Sequence, residues 1–233
     1  MTRHELKEQL QHDQFTDTVS GVVGYAASHS QQLLRWVAIA VAILVIAGGA
    51  FWYMKYQNSV RDQDLANALA IADRQVGPGA PGANAFPTED AKNQAMTKAF
   101  SNVLAKDGSS SQGLIAQYYL GTIKAKKGDT KGAEADLSKV ADSSVRVAPL
   151  AKIALAELYA GDNKISQAQS LLQSLIDKPT DLVSKAQAQI LLARLEENTN
   201  PQRAKKLLQS VTTENKDPVV TRVAQQVSSE ISR

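Results

Sequence analysis

A chain of 233 residues has room for one ordinary domain and its appendages. Aromatics make up only 5% and the formal net charge is +3 with acids and bases interleaved, which excludes the basic stripe of a nucleic-acid binder and suits helices of small residues better than a β-sandwich. There is no cysteine, so disulfides, thiolate metal sites, cysteine nucleophiles and a lipid-modified N-terminal cysteine are excluded together.

Residues 1–35 form a polar N-terminal segment. Phe15, Val19, Val22, Val23 and Ala26 share a helical face that Gly21 and Gly24 interrupt. The segment reads as an interfacial or partner helix, or equally as loosely ordered chain. His4, Glu8 and His12 recur at i, i+4, i+8, but His4-Glu5 opens an H-E-x-x-H pattern that closes on Glu8. A solvated face is expected there, not a metal site.

Trp36 to Tyr53 is a run of 18 residues without charge or proline. At about 1.5 Å per residue it covers roughly 27 Å, close to the hydrocarbon thickness of a bilayer. Arg35 and Trp36 flank one end; Trp52, Tyr53 and Lys55 flank the other. Indole and phenol rings prefer the headgroup level and long cations can snorkel there, so these five are the expected interface anchors of a transmembrane helix over residues 36–54. The rival readings are a buried core helix and a cleaved signal sequence, the second helped by small Gly48 and Ala50. Thirty-five preceding residues are far more than an ordinary signal n-region carries, so an uncleaved anchor is expected. Lys and Arg number one in the 15 residues before Trp36 and two in the 15 after Tyr53. That count slightly opposes a cytoplasmic N-terminus, although long domains translocate regardless of charge.

Residues 58–110 are expected to be membrane-proximal helices. The first, 58–76, turns Val60, Leu65, Leu69 and Ala72 to one side. Gly77 to Pro87 holds three Gly and three Pro, and neither helix nor strand is expected to cross it. Its eleven residues could extend about 36–40 Å and so set how far the repeats stand from the membrane. Gly77, Gly79 and Gly82 satisfy G-x-G-x-x-G only literally, since prolines interrupt the pattern and a helix precedes it where a strand is needed. Thr88 is the expected N-cap of a helix to about Lys106, with Ala95, Ala99, Phe100 and Val103 inward and a break at Asp107 to Ser111.

From Leu114 the chain repeats. Windows starting at Leu114, Pro149 and Lys185 align Leu120, Leu155 and Leu191 at position seven and Gly121, Ala156 and Leu192 at position eight. Turns come next at Gly128-Asp129, Gly161-Asp162 and Asn198–Asn200, then Ala133, Ala168 and Ala204 at position twenty. Leu137, Leu172 and Leu208 come four later, and Val140, Leu175 and Val211 three beyond those. Antiparallel helices approach closely where small residues meet, and the i, i+3 apolar residues form a face that the next repeat covers. No repeat buries its face alone, so three stack. A capping helix runs on from Asp217 and Pro218, with Val220, Val223, Val227 and Ile231 on one side. Seven helices are therefore expected over residues 111–233. Beyond Tyr53 there is no histidine, so a Ser-His-Asp arrangement cannot be built in the repeats.

These windows resemble tetratricopeptide repeats, and the period fits. The middle window matches best, with Tyr159 at position eleven where the others have Lys124 and Leu195. The resemblance implies an all-α fold, one N-terminal transmembrane helix followed by an α-solenoid with a C-terminal capping helix. It also implies a groove lined by the first helix of each repeat, at Tyr118, Thr122, Lys126, Ile153, Glu157 and Gln189. An aromatic beside a cation, Tyr118 with Lys126, suits peptide recognition. No cofactor and no enzyme activity are expected.

The order of parts, a polar N-terminus, an apolar helix ending Trp52-Tyr53 and then repeats, resembles the YfgM family of ancillary SecYEG translocon subunits. The resemblance runs from Gln31 to the end. It implies a protein of the bacterial inner membrane with its N-terminus in the cytoplasm and its repeats in the periplasm. The implied partners are the SecYEG translocon and a membrane-anchored periplasmic chaperone, with the lipid bilayer around the anchor and no nucleic acid. The alternative is a cytoplasm-facing adaptor that recruits soluble proteins to the membrane.

Overall fold

The computed structural model describes residues 30–77 and 85–231. The histidine pattern, the apolar face at 15–26 and most of the polar N-terminal segment lie outside them, as do Gly79 and Gly82. The chain divides into two compact units, one ending at Val60 and one beginning at Arg61.

The first unit is helical from Ser30, the start of helix α1, which is assigned through Ala72. Among the described residues one helix is long and apolar enough to cross a membrane, and none of its apolar window is buried. That removes the core-helix reading. Trp36 and Trp52 are each 70% exposed, and the side chains of Ile43, Leu44, Val45 and Ile46 between them stand equally bare. Such a surface has the length and composition of a membrane span. Trp36 and Tyr53 are separated by about 26 Å of helix axis. Trp52 stacks on Tyr56 with centroids 6.1 Å apart, and the Tyr53 hydroxyl accepts a bond from Gln57 at 2.9 Å. Arg35 and Lys55 are exposed at the two ends.

The second unit is an all-α solenoid. After the end of α1 come the two-residue strands β1 (Gln75–Val76) and β2 (Ala85–Phe86). The remaining helices are α2 (Glu89–Lys106), α3 (Ser111–Lys126), α4 (Thr130–Ala141), α5 (Ala148–Gly161), α6 (Ile165–Asp177), α7 (Lys185–Glu196), α8 (Pro201–Glu214) and α9 (Pro218–Glu230). The seven expected from Ser111 onward are α3 to α9. Each packs on the next, and α9 also reaches back to α7. The starts are set by side-chain caps: Thr88 accepts from the Ala91 amide, Ser110 from Gly113, Asp129 from Gly132, Ser184 from Gln187, Asn200 from Arg203 and Asp217 from Val219.

The Gly/Pro stretch departs from expectation. The membrane-proximal helix ends at Ala72 and not at residue 76, and the stretch contains a strand. Its two ends pair in parallel, Gln75 with Ala85 and Val76 with Phe86. The Gly77 amide donates to the Phe86 carbonyl at 3.1 Å, and the Arg74 guanidinium lies 5.9 Å from the Phe86 ring centroid.

The core is a series of clusters along the stack. Leu65 and Ala68 meet Phe100, Val103, Ala116 and Leu120. Ala68 was not among the residues expected inward, and Val60, which was, is exposed. Leu137, Val140 and Leu155 form the next cluster; Ala156, Ala168, Leu172 and Leu192 the third; Ala193, Ala204, Leu208 and Val227 the last. On the capping helix the inward residues are Ala224 and Val227, with Val220 and Ile231 beside them, while Val223 is exposed.

These clusters correct the third window. Leu192, fully buried, takes the place of Leu120 and Leu155, and Ala193 that of Gly121 and Ala156. Leu191 is only partly buried. The first helix of the third repeat is therefore displaced by one residue, because Ala193 precedes Ala204 by one residue fewer than Ala156 precedes Ala168. The second turn is also shifted. Within the repeats the described left-handed residues are Gly128 (φ 80°) and Asn163 (φ 59°), which occupy equivalent positions, so Asn163 and not Gly161 reverses the chain.

Candidate protein-interaction site

Tyr118, Thr122 and Lys126 are spaced i, i+4, i+8 and share one face of α3; Ile153 and Glu157 do the same on α5. The solenoid brings these two faces together around a concavity of about 690 Å³. Leu150, Ala154 and Leu158 supply apolar wall, and Gln187 reaches it from the start of α7.

The Tyr118 ring is fixed from behind by aromatic packing. It meets Tyr119 edge-on at 5.3 Å, and Tyr119 lies flat on Phe100 at 4.5 Å with ring planes 2° apart. Burial, then Tyr119 and Glu157, push the Tyr118 phenol above its ordinary value, so it is a neutral donor at any physiological pH. Thr122 spends its hydroxyl proton on the Tyr119 carbonyl at 2.8 Å and faces the cavity as an acceptor. Lys126 and Glu157 are exposed on opposite walls. The arrangement offers an apolar strip, a fixed aromatic ring and one charge of each sign, which fits an extended peptide backbone with apolar side chains.

A family model described as "Tetratricopeptide repeat-like domain" matches residues 32–179, more than half of the chain. The chain belongs to that family. No curated protein and no solved structure gives a match. The tetratricopeptide repeat-like match begins within α1, ahead of its apolar run, and ends after α6, so the apolar helix and the first two repeats fall within one family model. Tetratricopeptide repeat domains are non-catalytic scaffolds, and residues 32–179 match one. Among the described residues no group of three His, Asp or Glu is placed to hold a metal.

Gln189 does not join the other five. It is 6% exposed, and its amide donates to the Ser210 hydroxyl of α8 at 3.1 Å. The one-residue displacement of α7 turns it toward its own second helix. The residue missed in its stead, Gln187, is visible in the sequence only as an ordinary polar side chain. Leu150, Ala154 and Leu158 could have been found, since they are spaced i, i+4, i+8 and Leu150 lies three residues before Ile153, on an adjoining strip of the same helix.

The repeats are joined behind the concavity by polar links. Tyr159 donates to Glu134 Oε1 and Lys164 to Oε2, each at 3.0 Å. The bonds from Lys164 and Tyr159 hold the Glu134 carboxyl below its ordinary range. In the next repeat Glu196 takes the place of Tyr159. It is fully buried and accepts from Gln169 at 3.0 Å and from Arg203 at 2.5 Å. Its Oε2 has no partner among the described residues.

Proposed function

We propose that the chain is a single-pass anchor of the bacterial inner membrane that holds its repeats in the periplasm as an accessory of the translocon and of a membrane-anchored periplasmic chaperone. Residues 1–35 lie in the cytoplasm, 36–54 cross the membrane with Arg35, Trp36, Trp52, Tyr53 and Lys55 at its two faces, and 111–233 take up extended segments of client or partner chains. What carries the reading is the concavity in which Tyr118, Thr122, Lys126, Ile153 and Glu157 converge. The bare apolar helix supports the anchor, and the order of parts shared with the YfgM family supports the named partners.

The test uses a photo-crosslinking side chain at Thr122 in the full chain in membranes carrying an arrested, partly translocated polypeptide. Adducts with that polypeptide are expected, and Tyr118→Ala should cut them about tenfold or more, as removal of a central aromatic anchor does. Adducts unaffected by Tyr118→Ala, or none, would refute this function.

A second reading, an adaptor facing the cytoplasm, is favoured by two cations, Lys55 and Arg61, in the 15 residues after Tyr53 against one, Arg35, in the 15 before Trp36. Ser170 is exposed on α6 and the native chain has no thiol, so Ser170→Cys separates the two. Labelling of intact spheroplasts by an impermeant thiol reagent places the repeats outside. Labelling only after lysis establishes the adaptor.

A further inference from the structure

Position four of each repeat, with the third window corrected, holds Gln117, Lys152 and Gln189. In the outer two repeats this side chain ties the first helix to the second. Gln117 donates to Asp136 Oδ1 at 3.1 Å and Gln189 to Ser210 Oγ at 3.1 Å, both nearly buried. In the middle repeat Lys152 makes no such bond, and a cavity of about 390 Å³ opens beside it. Ser174, the counterpart of Ser210, lines it, together with Arg146 and Lys178 from the flanking loops. Among the described residues no ion pair involves Arg146, Lys152 or Lys178. One carboxylate, Asp181, shares the cavity. Three cations against one anion leave a net charge of +2, and like charges around one cavity repel unless an anion joins them.

We propose that this cavity binds a soluble phosphomonoester as its dianion, held between Arg146, Lys152 and Lys178. A phosphomonoester carries about −1.5 to −2 at neutral pH, which balances the cavity; a carboxylate or sulfate ester, with a single charge, does not. Val145, Leu175 and Leu182 line the remainder and accept a small apolar body. No residue of this cavity lines the peptide concavity, so the two sites stand or fall separately.

The experiment titrates the full chain, in nanodiscs of neutral lipid, with phenyl phosphate and with phenyl sulfate, which has the same shape and one charge fewer. Saturable binding of phenyl phosphate is expected, with phenyl sulfate about tenfold weaker. Lys152→Gln restores the residue of the neighbouring repeats, so it should fold, and it should weaken phenyl phosphate about tenfold, as should Arg146→Gln. Lys126→Gln, in the other concavity, should leave the affinity unchanged. Equal affinity for the two esters, native affinity in both cavity variants, or no saturable binding would overturn the proposal. So would binding seen only on vesicles containing phosphatidic acid, which would make the site a lipid contact.

Discussion

A Cβ placed on Gly121 would stand 2.8 Å from Leu137 Cγ and 3.0 Å from its Cδ2, so α3 and α4 meet where the chain has only a hydrogen to offer. Leu137 is fully buried and cannot swing away. Gly121→Ala should gain about 0.5–1 kcal/mol from helix propensity and lose about 1–3 kcal/mol to overpacking. The net expectation is a lower midpoint in denaturant, measured on the full chain in detergent. A raised midpoint would show that the helices can part without cost.

Ala168 occupies the matching contact on α6, fully buried among Ala156, Leu172 and Leu192. Ala168→Leu should destabilise by about 1–3 kcal/mol, because no space exists for three further carbons. Unchanged thermal stability would contradict the packing of the middle repeat.

The first two repeats were legible because each has one small residue at position eight between larger neighbours. The third was not, because Leu191 and Leu192 are adjacent and equally apolar, and periodicity cannot choose between them. Ala193, just beyond, was the available clue. The wrong register put Gln189 in the groove and Leu195 where Glu196 belongs. The five other groove residues lie on repeats whose register was right, and they converge. The paired ends of the Gly/Pro stretch had no sequence signal at all, since two-residue strands have no periodicity to read.

Glu196 makes a separate stability prediction. Its partner Arg203 is partly exposed, while the carboxylate itself is fully buried. Arg203→Ala should cost about 1–3 kcal/mol, because the buried charge loses its counter-ion. Adding Glu196→Gln should recover part of the loss, since the charge is then gone. The double-mutant cycle reads the coupling directly; additive losses would mean the pair does not act together.

Three tyrosines define an alkaline limit. Burial is the first cause that raises Tyr118, Tyr119 and Tyr159 above the ordinary phenol value of 10.0, with nearby acidic groups adding to it. The folded chain thus holds phenolic protons that the unfolded chain releases first. Their contribution to stability is complete below pH 10 and is lost as pH rises through the folded values. The melting temperature should fall above that pH and tyrosinate absorbance should rise late. Tyr118→Phe should shrink the fall; an unchanged alkaline profile in that variant would exclude Tyr118 as a source.

The pairing of Gln75–Val76 with Ala85–Phe86 alters what the Gly/Pro stretch can do. Eleven residues in series could have served as a slack cord. Because Gln75–Val76 are fastened to Ala85–Phe86, and Lys92 further grips the Arg74 carbonyl at 2.7 Å, those contacts and not the length of the stretch set the spacing between the end of α1 and the start of α2. Changing the number of residues between Gly77 and Ala85 is then expected to leave that spacing as it is, and any freedom of the repeats to search for a partner must come from somewhere else in the chain.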